Sequence, residues 1–162
     1  MANKFQTTHR VPHSADQMFD LVADMRSYPE FVPLCQSIRL HSEKERDGKR
    51  LAVSEMTVAY KMVRETLTTQ VLMKPAEHRI EVSYLDGPFR YLENVWSFTP
   101  VGDDACDVHF FIEYEFKSRT LGMLMGSMFD YAFRRFAAAF EQRADELYGC
   151  GNSSSASPAP VA

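Results

Sequence analysis

Residues 106–116 read CDVHFFIEYEF and residues 119–148 read RTLGMLMGSMFDYAFRRFAAAFEQRADELY, and the spacing of apolar residues changes between the two segments. In the first segment every second residue is apolar or aromatic: Cys106, Val108, Phe110, Ile112, Tyr114 and Phe116. This alternation is typical of a strand with one buried face. In the second segment a row of phenylalanines recurs at helical spacing: Phe129, Phe133, Phe136 and Phe140. The sequence therefore predicts a half-buried strand followed by a long amphipathic helix.

The same two-residue period recurs in six earlier segments of the chain. One covers residues 3–11, and five more lie between residues 36 and 100. Turn signals separate these five, including Asp47-Gly48, Pro75-Ala76 and Asp86-Gly87-Pro88. Because short turns join them, consecutive strands should pair as antiparallel neighbours.

Two helical segments follow the first strand. Ser14-Ala15-Asp16-Gln17 has the form of a capping box, and apolar residues at helical spacing predict a helix over residues 15–25. Residues 27–33, SYPEFVP, predict a short second helix or turn that ends at Pro33. The predicted order is strand, helix, short helix, six strands and a long helix.

The bulk composition favours one small domain that is not a general nucleic-acid binder. The chain has 162 residues, 45% of them hydrophobic, and a formal net charge of −4. An acidic chain lacks the cations that displace counterions from DNA, although Arg134-Arg135 leaves a local RNA contact open. Residues 1–149 are predicted to form the domain, and residues 150–162, rich in Ser, Pro and Ala, a disordered tail.

The cysteines and the first residues bear on the compartment. Cys35, Cys106 and Cys150 are odd in number and far apart, which favours free thiols in a reducing compartment. Residues 1–6 show no signal or transit pattern, and no stretch reaches the roughly 20 apolar residues of a membrane helix. We therefore expect a soluble, cytoplasmic protein whose membrane contacts are peripheral. The oligomeric state stays open, with a monomer favoured.

These elements predict an α+β architecture. The apolar face of the sheet needs a cover, and only the last helix is long enough to supply it. A twisted sheet of about seven strands must curl around that helix. Such a curved sheet does not have to touch the helix everywhere, so it can leave an apolar void for a ligand. A fully packed core is the alternative.

Three motifs carry a resemblance to a known family. They are YPEFVPLC at residues 28–35, GPFRYL at residues 87–92 followed by WSF at 96–98, and YEFKS at residues 114–118. Together they resemble the coenzyme Q-binding, START-like family of polyketide-cyclase-type proteins, over about residues 3–148. The resemblance implies a helix-grip fold and a tunnel that binds ubiquinone as a ligand, with no cofactor.

The resemblance also implies a role. Members of this family support respiratory electron transport as lipid chaperones without chemistry of their own, which would place this protein at the inner face of the respiratory membrane. The family also includes a toxin that acts on ribosome association. A ribosome-binding regulator of subunit association is therefore an alternative, and a polyketide cyclase-like enzyme is a second one.

The inward faces of the predicted elements propose the ligand-binding residues. Ordinary core packing is the alternative for each residue taken singly. The proposed cavity walls are Met56, Val58, Tyr60, Leu67, Val71, Tyr84, Leu92, Trp96, Phe110, Ile112, Tyr114, Met125, Phe129, Phe133 and Phe136. The proposed tunnel entrance consists of Tyr28, Phe31, Val32 and Leu34, which would also face a bilayer. Tyrosine and tryptophan bring polar atoms into an apolar wall, and methionine adapts to ligand shape.

A few polar residues share the inward register. Glu65, Arg90 and Asn94 all point inward if the two-residue period is unbroken. Glu65 and Arg90 would then form a buried pair, or the three would contact the ligand, and a shift of one residue would place all of them outside.

Catalytic and metal-binding patterns are missing from the sequence. The five histidines lie on different predicted elements, and none has metal-ligand spacing to another. There is no nucleophile elbow and no glycine-rich phosphate loop. We therefore predict a binding protein rather than an enzyme, with no catalytic residues and no metal site.

Overall fold

The structure, a computed structural model, describes residues 2–149. The predicted tail at residues 150–162 lies outside this range. Seven strands, two α-helices and two 3₁₀ segments follow one another in the predicted order. They are β1 (Asn3–Val11), α1 (Ala15–Ala23), a 3₁₀ segment (Met25–Glu30), β2 (Cys35–Arg46), β3 (Lys49–Tyr60), β4 (Val63–Lys74), a 3₁₀ turn (Pro75–Glu77), β5 (Arg79–Asp86), β6 (Phe89–Val101), β7 (Ala105–Phe116) and α2 (Arg119–Tyr148).

The strands form one antiparallel sheet in the order β1-β7-β6-β5-β4-β3-β2. Strands β2 to β7 each pair with the strand next to them in sequence. Strand β1 pairs instead with the last strand, β7, where Phe5 lies opposite Ile112. The curved sheet with a long C-terminal helix confirms the predicted α+β fold class. Strands β1 and β2 are its two edges.

The first helix begins as its sequence predicts. The Ser14 hydroxyl accepts a hydrogen bond from the Gln17 backbone at 3.1 Å, and the Gln17 side chain accepts one from the Ser14 backbone at 3.0 Å. The helix ends at Ala23, two residues before the predicted end, because Asp24 has left the helical region with ψ at 72°. The chain continues as the 3₁₀ segment that carries Pro29.

Helix α2 is held along its whole length, with five buried residues before Arg134 and two after it, and two histidines contact its C-terminal half. Nε2 of His9 lies 2.5 Å from the Glu141 carboxylate, and Nε2 of His13 lies 2.7 Å from the carboxylate of Asp145. The Ser118 hydroxyl caps the other end by accepting from the Leu121 backbone at 3.1 Å. Its main packing partners are β7, β1 and α1. The helix therefore lies closest to β1 and β7, and it stands farther from the concave face of β3–β5.

A β-bulge in β6 changes which side chains face inward. Phe89 pairs with Phe116 and Tyr91 with Glu115, so Arg90 is an extra residue in the strand. Phe89 is consequently buried, whereas Arg90 is exposed and its Nε lies 2.9 Å from the Glu115 carboxylate. The predicted inward position of Arg90 and its pairing with Glu65 are therefore wrong, because the two-residue period does not continue through a bulge.

Candidate ligand-binding site

An apolar cavity of about 110 Å³ lies between the concave side of the sheet, the segment from α1 to the start of β2, and helix α2. No charged side chain lines it. The lining residues are Val22, Met25, Tyr28, Val32, Pro33, Leu34, Ser54, Met56, Val58, Leu67, Thr69, Val71, Ile80, Val82, Phe89, Leu92, Asn94, Trp96, Ile112, Phe129, Ala132, Phe133, Phe136 and Phe140. The sheet and the phenylalanine row of α2 thus stand apart over this region.

Most of the residues predicted as cavity walls lie on this surface. Strands β3 and β4 supply two each, β6 supplies two, β7 supplies one and α2 supplies three. These residues are Met56, Val58, Leu67, Val71, Leu92, Trp96, Ile112, Phe129, Phe133 and Phe136. Of the predicted entrance residues, Tyr28, Val32 and Leu34 also line the cavity. Their role in binding a ligand stays a prediction.

Three predicted wall residues are buried but lie outside the cavity: Phe110, Tyr114 and Met125. Strand β7 runs close beneath α2, so that the ring of Tyr114 lies 5.3 Å from that of Phe133 and the ring of Phe110 lies 5.9 Å from that of Phe136. These contacts fill the space between strand and helix. A two-residue period identifies the buried face of a strand, but it does not show where the helix separates from the sheet.

Three further predicted residues are displaced for local reasons. Tyr60 is the last residue of β3 and is exposed, with the Lys61 ammonium 5.2 Å from its ring centre. Tyr84 accepts a hydrogen bond from the Phe89 backbone at 2.9 Å and lies outside the cavity. Phe31 does not line the cavity, and its ring packs 5.0 Å from that of Phe140.

Tyr28 lines the cavity and is half-buried. Its hydroxyl donates to the backbone carbonyl of Val22, and its ring lies 5.4 Å from that of Phe140. Burial raises the pKa of Tyr28 far above its usual value, with smaller contributions from Cys35 and Asp24. The hydroxyl is therefore neutral and already engaged as a donor.

Two buried hydroxyls on the cavity wall were not among the predicted site residues. Ser54 on β3 and Thr69 on β4 are direct cross-strand partners, and both are buried. Both hydroxyl groups lie among apolar side chains on the cavity wall. They share the inward register of Met56 and Leu67, so the alternation could have revealed them as polar residues on the buried face.

Other lining residues had weaker sequence signals. Phe89 faces the cavity because of the bulge at Arg90, which the sequence pattern did not predict. Asn94, predicted to face inward, does line the cavity, and its amide donates to the Phe111 carbonyl at 2.8 Å. The side-chain NH₂ group of Asn94 is therefore already hydrogen-bonded to the backbone of β7. Ala132 occupies the gap in the phenylalanine row of α2, where a small side chain leaves room for the cavity.

The described part of the chain offers no metal centre near this cavity. No three side chains of the metal-binding types His, Cys, Asp and Glu come together anywhere in residues 2–149. Over the same residues, no helix has the length and apolar character needed to cross a bilayer.

The folded chain is a START-like, helix-grip domain. A START superfamily protein from Mycobacterium smegmatis has the same fold, with a TM-score of 0.75 at 23% identity over 89% of this chain and 98% of its own. The Zhui aromatase/cyclase from Streptomyces shares the fold at 15% identity, with a TM-score of 0.72 over 90% of this chain and 95% of its own. An 18 kDa protein from Caulobacter crescentus is 35% identical, with a TM-score of 0.74 over 91% of this chain and 99% of its own.

Within this class, the chain belongs to the polyketide cyclase/dehydrase and lipid transport family, whose model matches residues 11–141. It is 34% identical to the persistence and stress-resistance toxin PasT of Escherichia coli, over 87% of this chain and 86% of that one. It is 32% identical to the ribosome association toxin RatA of Pseudomonas aeruginosa, over 92% of this chain and all of that one. It is 33% identical to the mitochondrial coenzyme Q-binding protein COQ10 homolog B of Xenopus laevis, over 84% of this chain and 55% of that one. The predicted family is thereby confirmed.

Proposed function

We propose that this protein binds an isoprenoid quinone such as ubiquinone in the apolar cavity and supports respiratory electron transport as a lipid carrier. The observation that carries the proposal is an apolar wall without a charged side chain, on which two buried residues, Ser54 and Thr69, each place a hydroxyl group. A quinone ring presents two carbonyl acceptors and otherwise apolar surface, so Ser54 and Thr69 match its need for donors. Similarity to a coenzyme Q-binding protein supports the same ligand class.

The size of the cavity limits what enters without movement. At about 110 Å³ it is smaller than the ~150 Å³ cavity that accommodates benzene in an engineered protein core. A substituted quinone ring therefore needs some displacement of the wall, and an isoprenoid tail needs much more. Met25 and Met56 are flexible side chains on that wall, and both can change rotamer to make room.

The absence of charged groups on the cavity wall supports a carrier rather than an enzyme. General acid–base chemistry needs an ionisable group within hydrogen-bond reach of the bound molecule. The ionisable side chain on this wall is Tyr28, whose hydroxyl donates to Val22. The protein is therefore proposed to hold its ligand and transfer it unchanged.

The direct test is native mass spectrometry of the purified full-length chain for a retained quinone, followed by titration of the delipidated protein with ubiquinone. Trp96 lies on the cavity wall, and it should report binding by fluorescence quenching. Replacing the two hydroxyls, Ser54→Ala with Thr69→Val, should weaken binding about 2- to 12-fold for each hydrogen bond lost.

A matched control is available on the opposite face of the same two strands. Thr57 and Thr66 are also cross-strand partners, with their hydroxyl oxygens 3.1 Å apart, and neither lines the cavity. Thr57→Val with Thr66→Val should leave quinone affinity unchanged. Purified protein without quinone, together with no quenching of Trp96, would refute the proposal.

A second candidate function is regulation of ribosomal subunit association. It is favoured by relatives that are named ribosome association toxins and match this chain over nearly their whole length. Arg134 and Arg135 are exposed on α2, the first beside Asp130 and the second over the ring of Tyr131. Cosedimentation with the large ribosomal subunit that is lost in Arg134→Glu/Arg135→Glu, with quinone binding absent, would favour this function.

A further inference from the structure

Four large apolar side chains are exposed on three segments of the molecule. Met62 in the β3–β4 hairpin is 98% exposed, and Leu85 near the end of β5 is 53% exposed. Met123 and Leu124 in the first turns of α2 are 80% and 63% exposed. We call these four residues the apolar rim. Exposed methionine and leucine side chains are unfavourable in water unless another surface covers them.

All parts of the apolar rim lie at the same end of the sheet. The β3–β4 hairpin, the β5–β6 turn and the β7–α2 junction are at one end because antiparallel strands alternate in direction. The Lys117 backbone donates to the Pro88 carbonyl at 3.0 Å, which joins the second and third of these segments. Gly87 approaches Thr66 and Leu67 of β4 closely, which joins the first and second.

Part of the cavity wall lies at the same end. Ala59, next to the β3–β4 hairpin, donates to the Leu34 carbonyl at 3.0 Å, so the start of β2 lies beside the apolar rim. Pro33 and Leu34 line the cavity and are only partly buried. Leu34 also has φ at 67°, a conformation that costs a leucine free energy and that recurs at functional sites.

Cations surround the apolar rim although the whole chain carries a net charge of −4. Lys61 and Arg64 flank Met62, while Lys117 and Arg119 precede Met123 and Leu124. None of these four cations forms an ion pair with another residue in the described part of the chain. The acidic residues at this end are Glu65, Asp86 and Glu115. The result is a local excess of positive charge around exposed apolar side chains.

We propose that the apolar rim docks on the surface of a lipid bilayer that contains anionic lipids. Methionine and leucine side chains would enter the interfacial region, and the four cations would lie against the phosphate groups. An RNA backbone would use the cations but would leave Met62 and Met123 in water, so the exposed apolar groups favour a bilayer over RNA. The inference deepens the proposed carrier function and rests on it for its purpose, since docking here brings the cavity next to the lipid.

The test is cosedimentation of the full-length protein with phosphatidylcholine vesicles, with and without phosphatidylglycerol. We expect binding to vesicles that contain the anionic lipid. Met62→Ser with Met123→Ser should weaken it by about tenfold or more, because two exposed apolar side chains no longer enter the interface. Lys61→Glu and Arg119→Glu should each weaken it by about fivefold or more.

Matched controls lie at the other end of the molecule. Leu147 near the end of α2 is 53% exposed, and Lys49 lies exposed in the β2–β3 hairpin. Leu147→Ser and Lys49→Glu should bind vesicles as the unchanged protein does. Equal loss in the controls, or unchanged vesicle binding in the Met62/Met123 variant, would overturn the proposal, as would binding to RNA that depends on the cations while vesicles are ignored.

The docking surface and the quinone site can fail separately. Quinone retention measured on the same variants should be unchanged, because none of the altered residues lines the cavity. Vesicle binding by a protein that never retains quinone would leave docking intact and refute the carrier function. Quinone binding without vesicle binding would refute docking alone.

Discussion

Ala132→Leu offers the most demanding test of the cavity. Ala132 is buried on α2 between Phe129 and Phe136 and faces the open space. In protein cores, an unfilled cavity costs about 24 cal/mol for each Å³, so about 110 Å³ corresponds to roughly 2.6 kcal/mol. Leucine adds three carbon atoms, and burying them contributes about 0.8 kcal/mol each, or roughly 2.4 kcal/mol. Because the two values are similar, placing leucine in this space should offset most of the cost of the cavity.

The substitution should therefore stabilise the empty protein and block the ligand. Overpacking costs about 1 kcal/mol or more where neighbours must shift, which leaves an expected gain of about 1 to 2 kcal/mol in the free energy of unfolding. Urea unfolding of delipidated protein measures this gain as a higher midpoint with an unchanged slope. Quenching of Trp96 by ubiquinone should disappear in the same variant.

Ala138→Leu is the control, because Ala138 lies on the exposed side of the same helix. It should change the free energy of unfolding by less than about 0.5 kcal/mol and leave quinone binding intact. The reasoning would be refuted if Ala132→Leu destabilised the empty protein by about 2 kcal/mol or more. Such a loss would mean that sheet and helix are already in contact there. Undiminished quinone binding by a folded Ala132→Leu protein would also refute it.

Three further predictions concern glycines, thiols and pH. Gly87→Ala should lower the free energy of unfolding by more than about 1 kcal/mol, because φ is +146° and a Cβ would lie 3.0 Å from Leu67. Gly126→Ala should raise the free energy of unfolding by about 1 kcal/mol, because the space around Gly126 is open. The midpoints of urea unfolding measure both changes. Burial raises the pKa of Cys35 and of Cys106 to about 11, so about a thousandth of each thiol is ionised at about pH 8. In a Cys150→Ser protein, which keeps only these two thiols, disulfide reagents should therefore react only after unfolding. Rapid reaction of the folded protein would contradict this. Hydrogen bonds from Arg79 and Lys74 lower the pKa of Glu81. The contribution of Glu81 to stability is therefore complete above the pKa of about 4.5 that it has in the unfolded chain, and it is lost as pH falls through the lower pKa of the folded state. Glu81→Gln should flatten the fall in the free energy of unfolding below about pH 4.5, while Glu45→Gln should not.

Local sequence was enough for nearly every element of the fold. The alternation in residues 106–116, the capping box at Ser14 and the phenylalanine row of α2 depend on neighbours within a few positions, and the structure has each of them. The end of α1 and the bulge at Arg90 departed from the pattern, since both depend on how the chain meets other parts of the sheet.

By itself, the sequence determined which faces of the strands and of α2 are buried, because burial follows the two-residue and 3.6-residue periods of the backbone. Tertiary structure alone decided which buried residues face a cavity and which are packed together. Tyr114 and Leu92 are cross-strand partners and both are buried, yet one is covered by α2 and the other faces the cavity. The difference arises because α2 crosses the sheet over β1 and β7. The distance between the helix and the other strands is not encoded in the local spacing of residues.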